Sequence, residues 1–191
     1  MNQYINFIIL GVVLIVIIVT IILVSINISK KNSVKKMYED IEKLFNSIIP
    51  ENKDGYKFER KTNLEYDYLF ETPNYIYYIK VIPNSGNQEI CVNNSVKWQL
   101  RKSFNDESMR FVQNVEGLMR LEVEKQKNVK KLYIIYPNAR SLLKYINECE
   151  MIFIHPDTDV YGCNIIPYIL LKENIDLIKR WKYSLLYFFV F

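Results

Sequence analysis

The sequence predicts an α/β protein: an N-terminal transmembrane helix followed by a three-layer αβα domain with a mixed sheet. Three observations predict it. Residues 5–28 form one uncharged, apolar run. Residues 56–82 alternate with the two-residue period of strands and are rich in Tyr and Ile. From residue 106 onward, helix-like and strand-like stretches take turns, as they do when helices cover the faces of a sheet. The chain's 191 residues suffice for one span and one domain of ordinary size. Half of them are apolar and only 5 are Gly, which excludes a disordered or fibrous chain. A net charge of +4 is too mild to imply nucleic acid by itself.

The span runs from Ile5 to Ile28. Roughly 20 helical residues cross a bilayer core of about 30 Å. A cleaved signal peptide fits less well: the apolar run is too long, no Lys or Arg precedes it, and no A-x-A-like site follows. Lys30, Lys31, Lys35 and Lys36 follow the span at once. By the positive-inside rule they put the following domain in the cytoplasm and the N-terminus outside. The implied partner is the bilayer, whose anionic headgroups suit the same lysines. Cys91, Cys149 and Cys163 are odd in number and lack a C-x-x-C spacing, which points to unpaired thiols in a reducing compartment and to no zinc site.

After the span, Ser33 is placed to N-cap a helix to about Ile49, with Val34, Met37, Ile41, Leu44, Phe45 and Ile48 on one face. Pro50 and the "ENKDG" cluster end it. Three strands follow, at 56–63, 66–71 and 75–82, the last two a hairpin, with "EICVN" as a short addition. "NNSVKWQLRKSFNDESMRF" reads as a basic loop or short helix. A long helix is expected over 106–127, then a strand at "KKLYIIYP", a helix at "ARSLLKYINECE" and a strand at "MIFIHP". Strand, helix, strand implies a right-handed crossover between parallel strands. The expected divisions are 1–29 for the anchor, 30–55 for the basic flank and first helix, 56–172 for the α/β core, and 173–191 for a C-terminal helix and apolar tail. "WKYSLLYFFVF" at the end is too short to span a bilayer; packing on the domain, lying at the interface and an atypical terminus all stay open.

The hairpin carries the most specific pattern. With the turn centred on Pro73-Asn74, Leu69 faces Tyr78 and Asp67 faces Lys80, so Asp67, Tyr78 and Lys80 share one face. Two readings follow. The pair is either a cross-strand ion pair beside a core tyrosine, or part of a metal site, working or vestigial.

Helix, three strands, helix, strand, with an acid opening the second strand and a lysine in the third, resembles the PD-(D/E)XK nuclease superfamily, the restriction-endonuclease-like fold. The resemblance covers about residues 33–154. It implies Asp67 as a Mg²⁺ ligand, Lys80 as the lysine that positions the attacking water, and Glu42 as the acid of the first helix. This sequence departs from the family at Tyr78-Ile79-Lys80, where Tyr78 replaces the second acid. One carboxylate holds Mg²⁺ weakly, and a phenol with a reference pKa of about 10 is a poor ligand. Glu71 lies four residues from Asp67 along a strand, about 13 Å away. Glu42, Glu65 and Glu89 are the candidates for a migrated acid.

"NNSVKWQLRKS" groups Lys97, Trp98, Arg101 and Lys102. Basic side chains contact phosphates and an exposed Trp stacks on a base; the alternative is a solvated basic face over a buried Trp. His155, Asp157 and Asp159 in "HPDTDVYG" read as a turn rich in capping residues. The expected function is therefore a membrane-anchored, degenerate nuclease-like domain that binds nucleic acid or a protein without catalysis. The alternative is a Mg²⁺-dependent nuclease acting on DNA or RNA.

Overall fold

The computed structural model describes residues 2–51, 54–61, 65–84, 86–102, 110–122, 128–147 and 150–173. The chain divides into two units, the first ending at Lys43 and the second starting at Leu44.

The first unit is helical. Helix α1 runs Asn2–Asn46 without interruption, so Ser33 lies inside it and caps nothing. No Gly or Pro interrupts residues 28–37, and the Lys-rich segment has good helix propensity, so the two expected helices merge into one. The large apolar side chains from Leu10 to Ile28 are exposed on every side. A helix that is apolar all round is not satisfied by water. This one is long and apolar enough to cross a membrane. Farther along, burial returns at Met37 and Ile41, the helical spacing of an amphipathic face.

The second unit is a mixed α/β domain. Its first sheet holds β1 (Lys57–Arg60), β2 (Tyr68–Glu71), β3 (Ile76–Pro83), β7 (Val129–Tyr136) and β10 (Asn164–Pro167), in that spatial order. β1, β2 and β3 form an antiparallel meander, while β3, β7 and β10 run parallel. The second sheet holds β4 (Glu89–Val92), β5 (Trp98–Arg101), β6 (Arg110–Phe111), β8 (Leu142–Asn147) and β9 (Glu150–Phe153), in the order β6-β5-β4-β8-β9. Two short helices complete the described elements, α2 (Glu116–Arg120) and α3 (Tyr168–Glu173).

The two sheets share a core. Ile82, Tyr133, Ile135 and Ile165 come from the first, and Ile90, Val92, Trp98, Leu142 and Ile154 from the second or its margin. On the opposite face of the first sheet lies an aromatic layer. Phe45 stacks on Phe58 at 5.1 Å, Phe58 stacks on Tyr68 at 5.1 Å, and Phe45 meets the edge of Phe70 at 5.2 Å. The turn before β1 brings Gly55 against Pro73. Its φ of +73° favours glycine, and a Cβ there would meet Pro73 Cγ at 3.0 Å.

Two chain segments travel side by side through both sheets. β3 and β7 are parallel in the first, and β4 and β8 are parallel in the second. Buried Asn84 closes the corner: its amide donates to the carbonyls of Gln88 and Asn138, both at 2.9 Å, and its side-chain oxygen accepts from Gln88 N–H at 3.2 Å. The backbone ladder meanwhile continues from Asn84–Tyr136 to Arg140–Gln88.

Several expectations are corrected here. "EICVN" is a strand, but it builds a second sheet instead of extending the first. "NNSVKWQLRKS" contains strand β5, because Trp98 points into the core while Gln99 and Arg101 alternate outward. In the expected helix over 106–127, Arg110–Phe111 is strand and only Glu116–Arg120 is helical, while 106–109 and 123–127 lie outside the described residues. "ARSLLKYINECE" contains strand β8. Leu142 and Leu143, adjacent and both buried, serve opposite faces of a strand, where a helix would have needed one stripe. "MIFIHP" is a strand, but β9 pairs antiparallel with β8, so the expected parallel crossover does not form. The expected three-layer arrangement thus gives way to two sheets on one core. Residues 62–63 of the first expected strand, Cys149 and residues 174–191 of the expected C-terminal helix and tail lie outside the described residues.

Candidate functional site

The β2–β3 register is the one expected from the turn: Leu69 pairs with Tyr78 and Phe70 with Tyr77. Thr72 sets the turn, its hydroxyl exchanging hydrogen bonds with the Tyr75 backbone at 3.0 Å. Just before β2 the ladder becomes irregular. Tyr68 is the register partner of Ile79, yet Asp67 N–H also reaches the Ile79 carbonyl at 2.8 Å. Two residues facing one is the pattern of a β-bulge, which re-aims the side chain it carries.

That re-aiming decides what Asp67 does. Its Oδ2 accepts from Val81 N–H at 2.8 Å, and its Oδ1 lies 3.3 Å from Lys80 Nζ. The Val81 amide points to the side where β2 would have continued. The carboxylate therefore stands in for a missing backbone acceptor. Both side chains are largely removed from solvent, Lys80 at 10% and Asp67 at 15% exposure, so the pair is of the kind that needs its mutual satisfaction.

Tyr78 stands where the nuclease resemblance calls for a second acid. Its ring meets Tyr66 edge to face, with centroids 4.9 Å apart, and both pack on the shared core. Burial, then the neighbouring Tyr66, pushes the Tyr78 phenol above its ordinary pKa. It stays a neutral phenol, which Mg²⁺ does not favour. Among the described residues, no three or more His, Cys, Asp or Glu side chains are grouped to hold an ion. Glu89 sits on the outer face of the second sheet, taking a hydrogen bond from Ser141 at 2.6 Å and facing Arg101 at 3.9 Å. It is the register partner of Arg101 and alternates with core residue Ile90, so it does not replace the missing acid. Glu42 belongs to α1 and to the helical unit, and is half-buried there. Glu65 precedes the bulge and has interactions of its own. Among the described residues, the side chains around Asp67 do not group as a Mg²⁺ site.

The expected nucleic-acid cluster separates. Trp98 is fully buried, its ring 4.7 Å from Tyr133, and cannot stack on a base. Its indole N–H lacks a hydrogen-bond partner among the described residues. Arg101 is engaged with Glu89 and Gln99. Lys97 is exposed, with its ammonium 4.8 Å above the Phe111 ring; Lys102 and Arg110 are also exposed, and Arg110, paired with Leu100, faces the other side of the ladder from Phe111. Phe111 and Arg110 are the members of this surface that sequence reasoning missed. Their place in the expected helix hid their pairing with β5. The His155 loop is the capped turn expected: Thr158 Oγ1 accepts from His155 N–H at 2.9 Å, and Asp159 Oδ1 from Gly162 N–H at 2.7 Å.

No protein-family model matches the chain, and no curated protein or solved structure is significantly similar to it.

Proposed function

We propose that this is a membrane-anchored binding module on a degenerate PD-(D/E)XK-like sheet, in which the former catalytic pair holds the sheet together. One observation carries the reading: both Asp67 oxygens are committed to Lys80 and the Val81 amide, and a neutral tyrosine fills the second acid's place. The nuclease-like ancestry is supported by an acid opening the second strand and a lysine in the third, on a sheet whose strands lie in chain order. The restriction-endonuclease-like fold is part of this proposal, and fold and chemistry are separable.

Recognition is assigned to β5 and β6, where the Lys97 ammonium lies over the exposed ring of Phe111, and where Arg110, paired with Leu100, and Lys102 add exposed cations in and next to the same strands. A cation over an aromatic ring, with further exposed cations on the same short strands, suits a nucleic-acid backbone, and binding through them weakens steeply with salt. The helix Asn2–Asn46 is read as the anchor, and the lysines after Ile28 support a cytoplasmic side for the domain by the positive-inside rule.

The test is a cleavage and binding assay with the full chain in detergent, on single- and double-stranded DNA and RNA with Mg²⁺ or Mn²⁺. Salt-sensitive binding without cleavage is expected. Metal-dependent cleavage that disappears in Asp67→Ala would establish the nuclease instead. Absence of nucleic-acid binding at low salt would move the partner to a protein.

A further inference from the structure

The second sheet ends at β9, with no strand beyond it among the described residues. Native edge strands are usually shielded by Lys, Pro, a bulge or a covering element. β9 has the sequence EMIF, and its apolar side chains are exposed on both faces: Met151 at 38%, Ile152 at 38% and Phe153 at 66%.

The direction of its backbone groups is fixed by the inner neighbour. Ile154 N–H donates to Leu142 O at 2.9 Å, and Lys144 pairs with Ile152 in the same register. Ile152 and Ile154 therefore turn their polar groups toward β8, and Met151 and Phe153 turn theirs to the free side. His155 closes the edge: its N–H and carbonyl are both bonded to Thr158. The free side thus offers the N–H and C=O of two residues.

We propose that this edge pairs antiparallel with β9 of a second copy of the chain. The two outward residues select the register. Pairing Met151 with Phe153 of the other copy, twice, satisfies all four groups of each strand, and any self-pairing of either residue satisfies half as many among the described residues. The two-fold axis then passes beside Ile152, which meets its own counterpart. Each Met151 thioether lies opposite a Phe153 ring, a favourable sulfur–aromatic contact. Glu150 falls opposite Ile154, so like charges do not meet. The result is one ten-stranded sheet across two copies. A four-residue pairing buries less than a standard interface, and copies held in one bilayer meet it at raised local concentration. In that respect the inference rests on the anchor reading, which membrane fractionation tests separately.

The experiment is oxidative cross-linking of the full chain in membranes, in a Cys149→Ser background. Ile152→Cys is expected to give disulfide-linked dimers, because opposed residues of a non-hydrogen-bonded pair lie at about 4.5 Å between Cα atoms, within disulfide reach. Met151→Cys alone should give little dimer, while a mixture of Met151→Cys and Phe153→Cys chains should cross-link. Fluorescence transfer between labelled copies should be lost in Ile152→Lys, with the melting temperature of that variant unchanged. No cross-link at 152, or equal cross-linking at every position, would overturn the proposal.

Discussion

Asp67 and Lys80 meet at 3.3 Å across the β2–β3 hairpin, and the second oxygen of the same carboxylate caps the Val81 amide at 2.8 Å. One side chain therefore neutralises a buried cation and completes a strand edge. Asp67→Ala strands both partners. The expected loss is about 3–5 kcal/mol, the cost of breaking a buried pair from one side. Asp67→Asn keeps an acceptor for Val81 and should lose less; Lys80→Met leaves the Asp67 carboxylate with the Val81 amide alone, so it should also destabilise, though less than Asp67→Ala, which strands two partners. Chemical unfolding of the full chain in detergent checks the order. Equal stability of wild type and Asp67→Ala would refute this role.

Trp98 and Lys97 are neighbours with opposite duties. Trp98→Ala should cost about 3–5 kcal/mol, as large core truncations do. Trp98→Phe should cost much less, because it also removes an indole N–H that lacks a partner among the described residues. Lys97→Ala combined with Lys102→Ala should move stability by about 0.5 kcal/mol or less, yet weaken nucleic-acid binding and flatten its salt dependence. Filter binding across a salt series, beside a melting curve for each variant, separates the two effects.

Stability should fall in alkali. Burial pushes the Cys163 thiol from 9.0 up to about 12, and burial raises the Tyr133 phenol in the same direction. Both groups ionise more readily in the unfolded chain. Their contribution is full below about pH 9 and is lost as pH rises toward 12, with a slope of at most about 1.4 kcal/mol per pH unit for each group. Melting the full chain at pH 8 and pH 10 should show a drop that shrinks in Cys163→Ala. An unchanged drop would assign the effect elsewhere.

The helical unit makes a separate prediction. Its exposed apolar surface from Leu10 to Ile28 is long and apolar enough to cross a membrane. The intact chain should stay in the membrane pellet through alkaline carbonate extraction, and deletion of residues 2–28 should release it to the supernatant. Release of the intact chain by carbonate would rule out a spanning helix.

Much of the first sheet is legible in the sequence because its signals are local. Thr72-Pro73-Asn74-Tyr75 fixes a turn, the turn fixes a register, and the register brings Asp67 to Lys80. "KKLYIIYP" gives β7 because four consecutive buried residues, Leu132 to Ile135, suit a strand covered on both faces. The second sheet is less legible. "LLKYIN" and "RFVQNVEGLM" satisfy a helical period as well as a strand's, and what makes Leu142–Asn147 a strand is Ile90–Val92 beside it, 52 residues earlier in register. The bulge at Asp67 is equally silent: nothing in "EYDYLF" announces that two residues will face Ile79.

The sequence by itself determined an apolar helix long enough to cross a membrane, an antiparallel hairpin and a tyrosine at position 78 two residues before Lys80, since each depends on neighbours within a few residues. Tertiary structure alone decided that a second sheet forms, that Trp98 is buried within it, and that both Asp67 oxygens are used inside the protein. Those outcomes depend on pairings between distant segments, which compete for the same residues and are settled by which arrangement buries the most apolar surface while leaving the fewest backbone groups unbonded.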